Sequence, residues 1–321
     1  MNFVTKHTQL TPSSELPDFT DIYVHIKDPL NSSFFWPGPV PTHAKFHPFI
    51  NSLISEAPTS ETDFRFEFEG HRFRVNKMAT AGGEYYLCRR LPSEPRRFED
   101  CNIHKGIVEN LLSERLCKGG LIVICGRPGN GKSTTCAGLI TARLEAFGGL
   151  TITIEDPIEM PIHGNWGEGV CFQREVPYER FPSAIRETLR GYPASANTSM
   201  LIGEVRDPKT AALALQSAVD GRLVMVTVHA GNAIQGLLRM QTLASSEIGA
   251  SEARHLLAAT FRTSLYQEIR YSKLTTHCIF DTPSVAGKLV MGEGPEHYKN
   301  DLRLQMSAIK LGNEIELRPL K

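Results

Sequence analysis

Between residues 60 and 80 the chain alternates strictly, Phe64-Arg-Phe-Glu-Phe-Glu69, pauses at Gly70 and resumes as Arg72-Phe-Arg-Val75. Period-two alternation puts every second side chain on one face of a strand, so two such runs split by a glycine predict a hairpin. Asp21-Ile-Tyr-Val-His-Ile26 and Tyr85-Tyr-Leu-Cys-Arg89 carry the same mark of half-buried strands. The segment 29 to 48 holds five prolines and reads as loop, and Phe49 to Ile54 opens a helix. Residues 1 to 16, rich in Thr, Ser and Pro, read as loosely held, and 92 to 100 as a linker. The first hundred residues therefore predict a small α+β domain.

From residue 104 the rhythm changes. Ile107 to Leu116 has helical spacing, Leu121 to Cys125 is an apolar strand, and Cys136, Leu139, Ile140, Leu144 and Phe147 mark a helix over 133 to 147 that stops at Gly148-Gly149. Strands come next at Leu150 to Ile154 and Met200 to Ile202, then a helix from Pro208 to Val219 ending at Asp220-Gly221, then a strand from Leu223 to Val228. Alternating strands and helices fold as a parallel sheet covered by helices on both faces, an α/β class.

In such sheets ligands bind beyond the carboxyl ends of the strands, so the residues just past each strand carry the chemistry. After the first comes Gly126-Arg127-Pro128-Gly129-Asn130-Gly131-Lys132-Ser133, a complete G-x-x-x-x-G-K-[ST] phosphate loop, with Thr134 beside it. Glycines let successive amides face a phosphate, the helix start adds its positive dipole end, Lys132 reaches the β/γ oxygens and the Ser133 hydroxyl ligates Mg²⁺. The chain is thus predicted to bind ATP or GTP. The second strand runs into Glu155-Asp156-Pro-Ile-Glu159, the third into Gly203-Glu204-Val-Arg206-Asp207, and the fourth into His229. In phosphoryl transfer a protein positions water, holds Mg²⁺ and neutralises charge. Glu204 suits the Mg²⁺ hydration shell or the attacking water, Glu155 or Glu159 suits the general base, and His229 suits a γ-phosphate contact. The sequence does not separate the two bases. The other histidines, His7, His43, His47 and His163 among them, form no ligand-like spacing.

Composition narrows the classes. Lys+Arg and Asp+Glu are 35 each in 321 residues. The first hundred residues carry 11 basic and 13 acidic groups against 24 and 22 in the rest, so neither part is a polyanion-binding surface by bulk charge. No apolar run approaches the roughly 18 residues of a membrane span, and the N-terminus lacks the apolar core of a signal peptide. A membrane role is therefore expected to be peripheral. The seven cysteines, scattered and without a C-x-x-C pair, read as reduced and cytosolic, with Cys125 and Cys136 as small buried hydrophobes.

Taken together, the phosphate loop, Thr153-Ile-Glu-Asp-Pro-Ile-Glu159, Gln173-Arg-Glu-Val176, Leu201-Ile-Gly-Glu-Val-Arg-Asp207 and Thr227-Val-His-Ala230 resemble, in order and spacing, the Walker A, aspartate, Walker B and histidine boxes of the type II/type IV secretion and pilus ATPases. Within that family the chain resembles the pilus retraction, Dot/Icm and plasmid-transfer members, over about residues 17 to 290. The resemblance implies a RecA-like P-loop ATPase domain over 104–321, preceded by a PAS-like domain over 17–98. It implies a homohexamer at the cytoplasmic face of the inner membrane, working on membrane components of a secretion, conjugation or pilus machine with ATP and Mg²⁺; the neutral charge of both halves leads us to expect no direct contact with nucleic acid. The resemblance also makes Arg72, Arg74, Arg89 and Arg90 candidates to neutralise charge across a subunit interface, with Arg190 and Arg206 near the phosphates. Arg72 and Arg74 also have a plainer reading, as polar-face residues of the hairpin paired with Glu67 or Glu69. Where relatives carry a short acidic-proline stretch before Walker B, this chain has Gly191 to Ser199. Two other functions stay open on residues alone: a nucleic-acid-dependent ring translocase, and a platform that binds nucleotide without hydrolysing it.

Overall fold

The computed structural model describes residues 19–35, 38–41, 44–58, 61–193, 197–271 and 273–320, which leaves the expectation for residues 1 to 16 outside it. The chain divides into two compact units between Ser93 and Glu94.

In the first unit, β1 (Asp21–His25), β2 (Ser33–Phe35) and β3 (Pro39–Pro41) precede α1 (His47–Glu56), and β4 (Asp63–Phe68), β5 (His71–Thr80) and β6 (Gly83–Leu91) come after it. Among the described residues they form one antiparallel sheet, ordered β3-β2-β1-β6-β5-β4. The β4–β5 hairpin turns at Glu69 and Gly70, whose φ values are +47° and +75°. Two consecutive positive φ angles make a two-residue turn that matches strand twist, so Glu69 belongs to the turn and not to the strand that alternation assigned it to. The alternation sends Phe64, Phe68, Phe73 and Val75 inward against Phe49, Ile50 and Leu53 of α1. Each such apolar side chain stabilises the unit by roughly 1.5–3 kcal/mol.

The second unit contains α2 (Lys105–Leu111), β7 (Gly120–Cys125), α3 (Lys132–Phe147), β8 (Gly149–Glu155), β9 (Gly164–Trp166), β10 (Gly169–Glu175), α4 (Phe181–Gly191), β11 (Thr198–Ile202), α5 (Pro208–Val219) and β12 (Leu223–Val228). It continues with α6 (Ala233–Ile248), α7 (Ala250–Thr260), β13 (Phe261–Arg270), β14 (Lys273–Phe280), α8 (Pro283–Met291) and α9 (Lys299–Leu311). The sheet runs β14-β13-β7-β12-β11-β8-β10-β9, parallel except that β14 and β9 lie antiparallel to their neighbours at the two edges. Strand β7 shows why its run is continuously apolar: Leu121, Val123 and Cys125 join the core on one face, with α4 to α7, while Ile122 and Ile124 join the core on the other, with α2, α3 and α9. Helix α2 ends at Leu111, short of the predicted Leu116. The Ser113 hydroxyl accepts the Arg115 N–H and starts a separate 3₁₀ turn, Glu114–Lys118. No helix among the described residues is long and apolar enough to cross a membrane.

Candidate functional site

Sheet order decides which strand-end loops meet. Strands β7, β12, β11 and β8 are consecutive parallel neighbours, so the segments after them line up along one edge. They carry Gly126 to Ser133, then His229, then Glu204, then Glu155.

The phosphate loop is shaped by its glycines. Gly129 and Gly131 take φ of +78° and +76° on either side of Asn130, an alternation that turns successive amides the same way. Gly131 caps α3, so Lys132, Ser133 and Thr134 form the first turn. Asn130, 7% exposed, ties the loop to β13. Its side-chain amide donates to the Gln267 carbonyl at 3.2 Å and accepts the Ile269 N–H at 3.2 Å, while the Gln267 amide donates to the Asn130 carbonyl at 2.6 Å. Gly126 lies under that strand so closely that a Cβ there would sit 2.4 Å from the Gln267 carbonyl oxygen. Arg127, Pro128 and Gly129 form the exposed outer arc.

Lys132 Nζ sits at the mouth of the loop, donating to the Gly126 and Arg127 carbonyls at 3.1 Å each. Burial lowers its pKa, opposed by the charges of Glu204 and Glu159 among others. His229 joins the loop to the acids: Nδ1 is 3.4 Å from Lys132 Nζ and 3.2 Å from the Gly126 carbonyl, and Nε2 is 2.8 Å from Glu204 Oε1. Arg206 closes on the other carboxylate oxygen of Glu204. Burial by itself would raise the Glu204 carboxyl, but the Arg206 hydrogen bond and the His229, Arg206 and Lys132 charges together hold it below the usual range. An ionised Glu204 thus faces the lysine across one imidazole.

Glu155 ends β8 and is 7% exposed. One of its oxygens accepts the Thr153 hydroxyl at 2.6 Å and the Gln173 amide at 3.0 Å. Burial pushes the carboxyl up to about 7; those two hydrogen bonds pull it down, and Glu159 and Glu175 add repulsion. Glu159 is half-buried a turn of loop further on, close enough to be felt by both Glu155 and Lys132. The expected residues Lys132, Glu155, Glu159, Glu204, Arg206 and His229 are therefore neighbours. Cys125 and Cys136 are fully buried, and their thiols are pushed up by burial.

One expected arginine of the second unit lies elsewhere. Arg190 stands exposed in the last turn of α4. Two residues on, Tyr192 hydrogen-bonds the Ser199 carbonyl and packs on Arg222, just ahead of β12. That is the amino edge of the sheet, so the expectation of Arg190 near the phosphates of its own chain is corrected: α4 runs back across the sheet and carries its last turn to the opposite edge. In the first unit, Arg72 is 3.4 Å from Glu67 and donates to the Pro92 carbonyl at 2.8 Å, Arg74 meets Asp63 at 3.1 Å, Arg89 meets Asp21 at 3.0 Å, and the Arg90 guanidinium lies 5.3 Å over the Phe19 ring.

Sequence reasoning missed Tyr178, which joins Asp156 to Asp207 at this edge, and the Asn130–Gln267 clasp. Neither has a spacing signal, because each contact joins loops or strands brought together only by the strand order.

Comparison with known proteins fits this geometry. Residues 59–300 match the family described as type II/IV secretion system protein. The chain is 30% identical, over 292 residues, to the type IV pilus retractation ATPase PilT of Pseudomonas aeruginosa, a match covering 87% of this chain and 79% of that protein. Its fold is that of the pilus retraction motor PilT solved with bound ADP (TM-score 0.71, 24% identity, 91% of this chain and 86% of that one) and of the Legionella pneumophila ATPase DotB (TM-score 0.68, 20% identity, 92% and 85%). The chain belongs to the type II/IV secretion and pilus ATPase family.

Proposed function

We propose that this protein is an ATP-hydrolysing motor that works as a homohexamer at the cytoplasmic face of the inner membrane. It drives membrane components of a type IV secretion, plasmid-transfer or pilus machine. On this reading residues 104–321 are a RecA-like ATPase domain and 17–98 a PAS-like domain whose Arg72, Arg74, Arg89 and Arg90 serve a neighbouring subunit. The observation that carries it is the connected line from Lys132 through His229 to an ionised Glu204, with Glu155 and Glu159 beside it.

Phosphoryl transfer asks for positioning and charge neutralisation rather than covalent chemistry. The amides of Gly129 to Ser133 and the Lys132 ammonium bind and orient the phosphates. The hard oxygens of Ser133 and the ionised Glu204 suit Mg²⁺, which when bound neutralises phosphate charge and orders water. Lys132 feels the charge of Glu159, so Glu159 is assigned to the attacking water and Glu155 to the buried support behind it. His229 is assigned to reporting phosphate occupancy, a role supported by its contacts with both the loop and Glu204.

The test is phosphate release from Mg·ATP by the wild-type chain and by Lys132→Ala, each with and without single-stranded DNA. Turnover by wild type, its loss in the variant and indifference to DNA are expected. Equal turnover in the two proteins would sink the proposal, and strong stimulation by DNA would replace it with a translocase.

A further inference from the structure

Tyr178 lies beyond the end of β10, and three segments meet on it. Its N–H donates to Asp156 Oδ2 at 2.8 Å. Its phenol donates to Asp207 Oδ2 at 2.8 Å and accepts the Arg206 N–H at 2.7 Å. The Arg206 guanidinium lies 5.0 Å over the ring, which also meets buried Phe181 at 4.9 Å. A neutral phenol has one proton to give and lone pairs to receive with, and both are used here on consecutive residues of one loop. Burial, then the bond to Asp207, pushes the phenol up, so it keeps that proton at neutral pH.

The loop so held is the one that presents Glu204. Residues 204–206 have no regular structure, and they are fixed at Val205 by a bond to the Thr227 carbonyl and at Arg206 and Asp207 by Tyr178. Arg206 in turn grips Glu204, and Glu204 meets His229 and through it Lys132. A displacement at Arg206 therefore moves the carboxylate that faces the phosphate loop. Stability alone would be served by the Asp207 contact, since Asp207 already caps α5 by accepting the Thr210 N–H. It gives no reason for the hydroxyl to take the Arg206 amide or for the ring to lie under its guanidinium.

We infer that Tyr178 is a positioning residue for ATP hydrolysis, acting through Arg206 to set the Glu204 carboxylate opposite the phosphate loop. The inference rests on the hydrolytic reading above.

The experiment is steady-state ATP turnover by wild type, Tyr178→Phe, Arg206→Ala and the double variant, with unfolding midpoints measured alongside. Tyr178→Phe deletes one oxygen from a partly exposed side chain and keeps the ring. We expect kcat to fall about tenfold with KM within about twofold, the pattern of an interaction made in the transition state. The same substitution on the Arg206→Ala background is expected to change kcat less than about twofold, because the route is then already cut. Unchanged kcat in Tyr178→Phe overturns the inference. So does an equal loss on both backgrounds, or a loss that tracks a lowered unfolding midpoint. A wild-type chain that releases no phosphate overturns the hydrolytic reading itself, and the inference falls with it; an active wild type with a normal Tyr178→Phe overturns the inference alone.

Discussion

Glu155→Gln is expected to make the protein more stable above neutral pH and to leave it unchanged in acid. Glu155 is folded into the end of β8 with its carboxyl lifted by burial from an ordinary 4.5 to about 7. A carboxyl raised on folding holds its proton more tightly in the folded chain. Its favourable contribution is thus complete below the unfolded pKa of 4.5 and is lost as pH rises through 7. At about 1.4 kcal/mol per decade, the folded state at pH 8 carries a penalty of about 3 kcal/mol relative to pH 4. Glutamine keeps the oxygen that accepts from Thr153 and Gln173 and carries no charge. Urea denaturation at pH 5 and at pH 8, tracked by Trp166 fluorescence with Trp36 replaced by phenylalanine, reads the second unit alone. The difference between variant and wild type should grow by about 2–3 kcal/mol between the two pH values. Any constant cost of the new amide cancels in that difference. A gap that stays the same at both pH values, or that favours wild type more at pH 8, would refute the buried, proton-holding Glu155.

Gly126→Ala drives a Cβ to 2.4 Å from the Gln267 carbonyl oxygen; a loss of about 1–3 kcal/mol is expected in the same denaturation assay, together with weakened binding of a fluorescent ATP analogue. Asp281, fully buried, meets Arg115, Arg262 and Arg318 at 3.3, 3.6 and 3.2 Å, so Asp281→Ala strands three guanidinium groups and should cost about 3–5 kcal/mol in urea unfolding.

Much of this fold can be read from residues alone, and the reason is local. Pro208 to Val219 and Leu223 to Val228 are predicted to the residue, because Asp207-Pro208 and Asp220-Gly221 punctuate the helix and the strand after it is an unbroken apolar run. The phosphate loop is legible for the same reason, since its neighbours in sequence are its neighbours in space. The limits are equally physical. Glu69 reads as strand because alternation cannot see that the turn needs two residues of positive φ. Strand β7 lies between β12 and β13, an order no periodicity contains, so the clasp of Asn130 on Gln267, 137 positions away, is invisible in the sequence. The family resemblance puts Arg190 near the phosphates, yet helix direction carries it to the other edge. The acids and His229 are legible because each lies at the end of a strand or within a few residues of it. Tyr178 is not, because its partners lie on other loops.

The central claim is that this edge hydrolyses nucleotide and does not merely hold it. Glu204→Gln isolates that claim, since it keeps the shape of the side chain and removes the charge that Arg206, His229 and Lys132 surround. The measurement is phosphate release at saturating Mg·ATP, paired with equilibrium binding of a fluorescent ATP analogue to the same preparations. A fall in turnover of about 100-fold or more with binding within a few-fold of wild type is predicted. Turnover that survives the substitution at wild-type rate would contradict it.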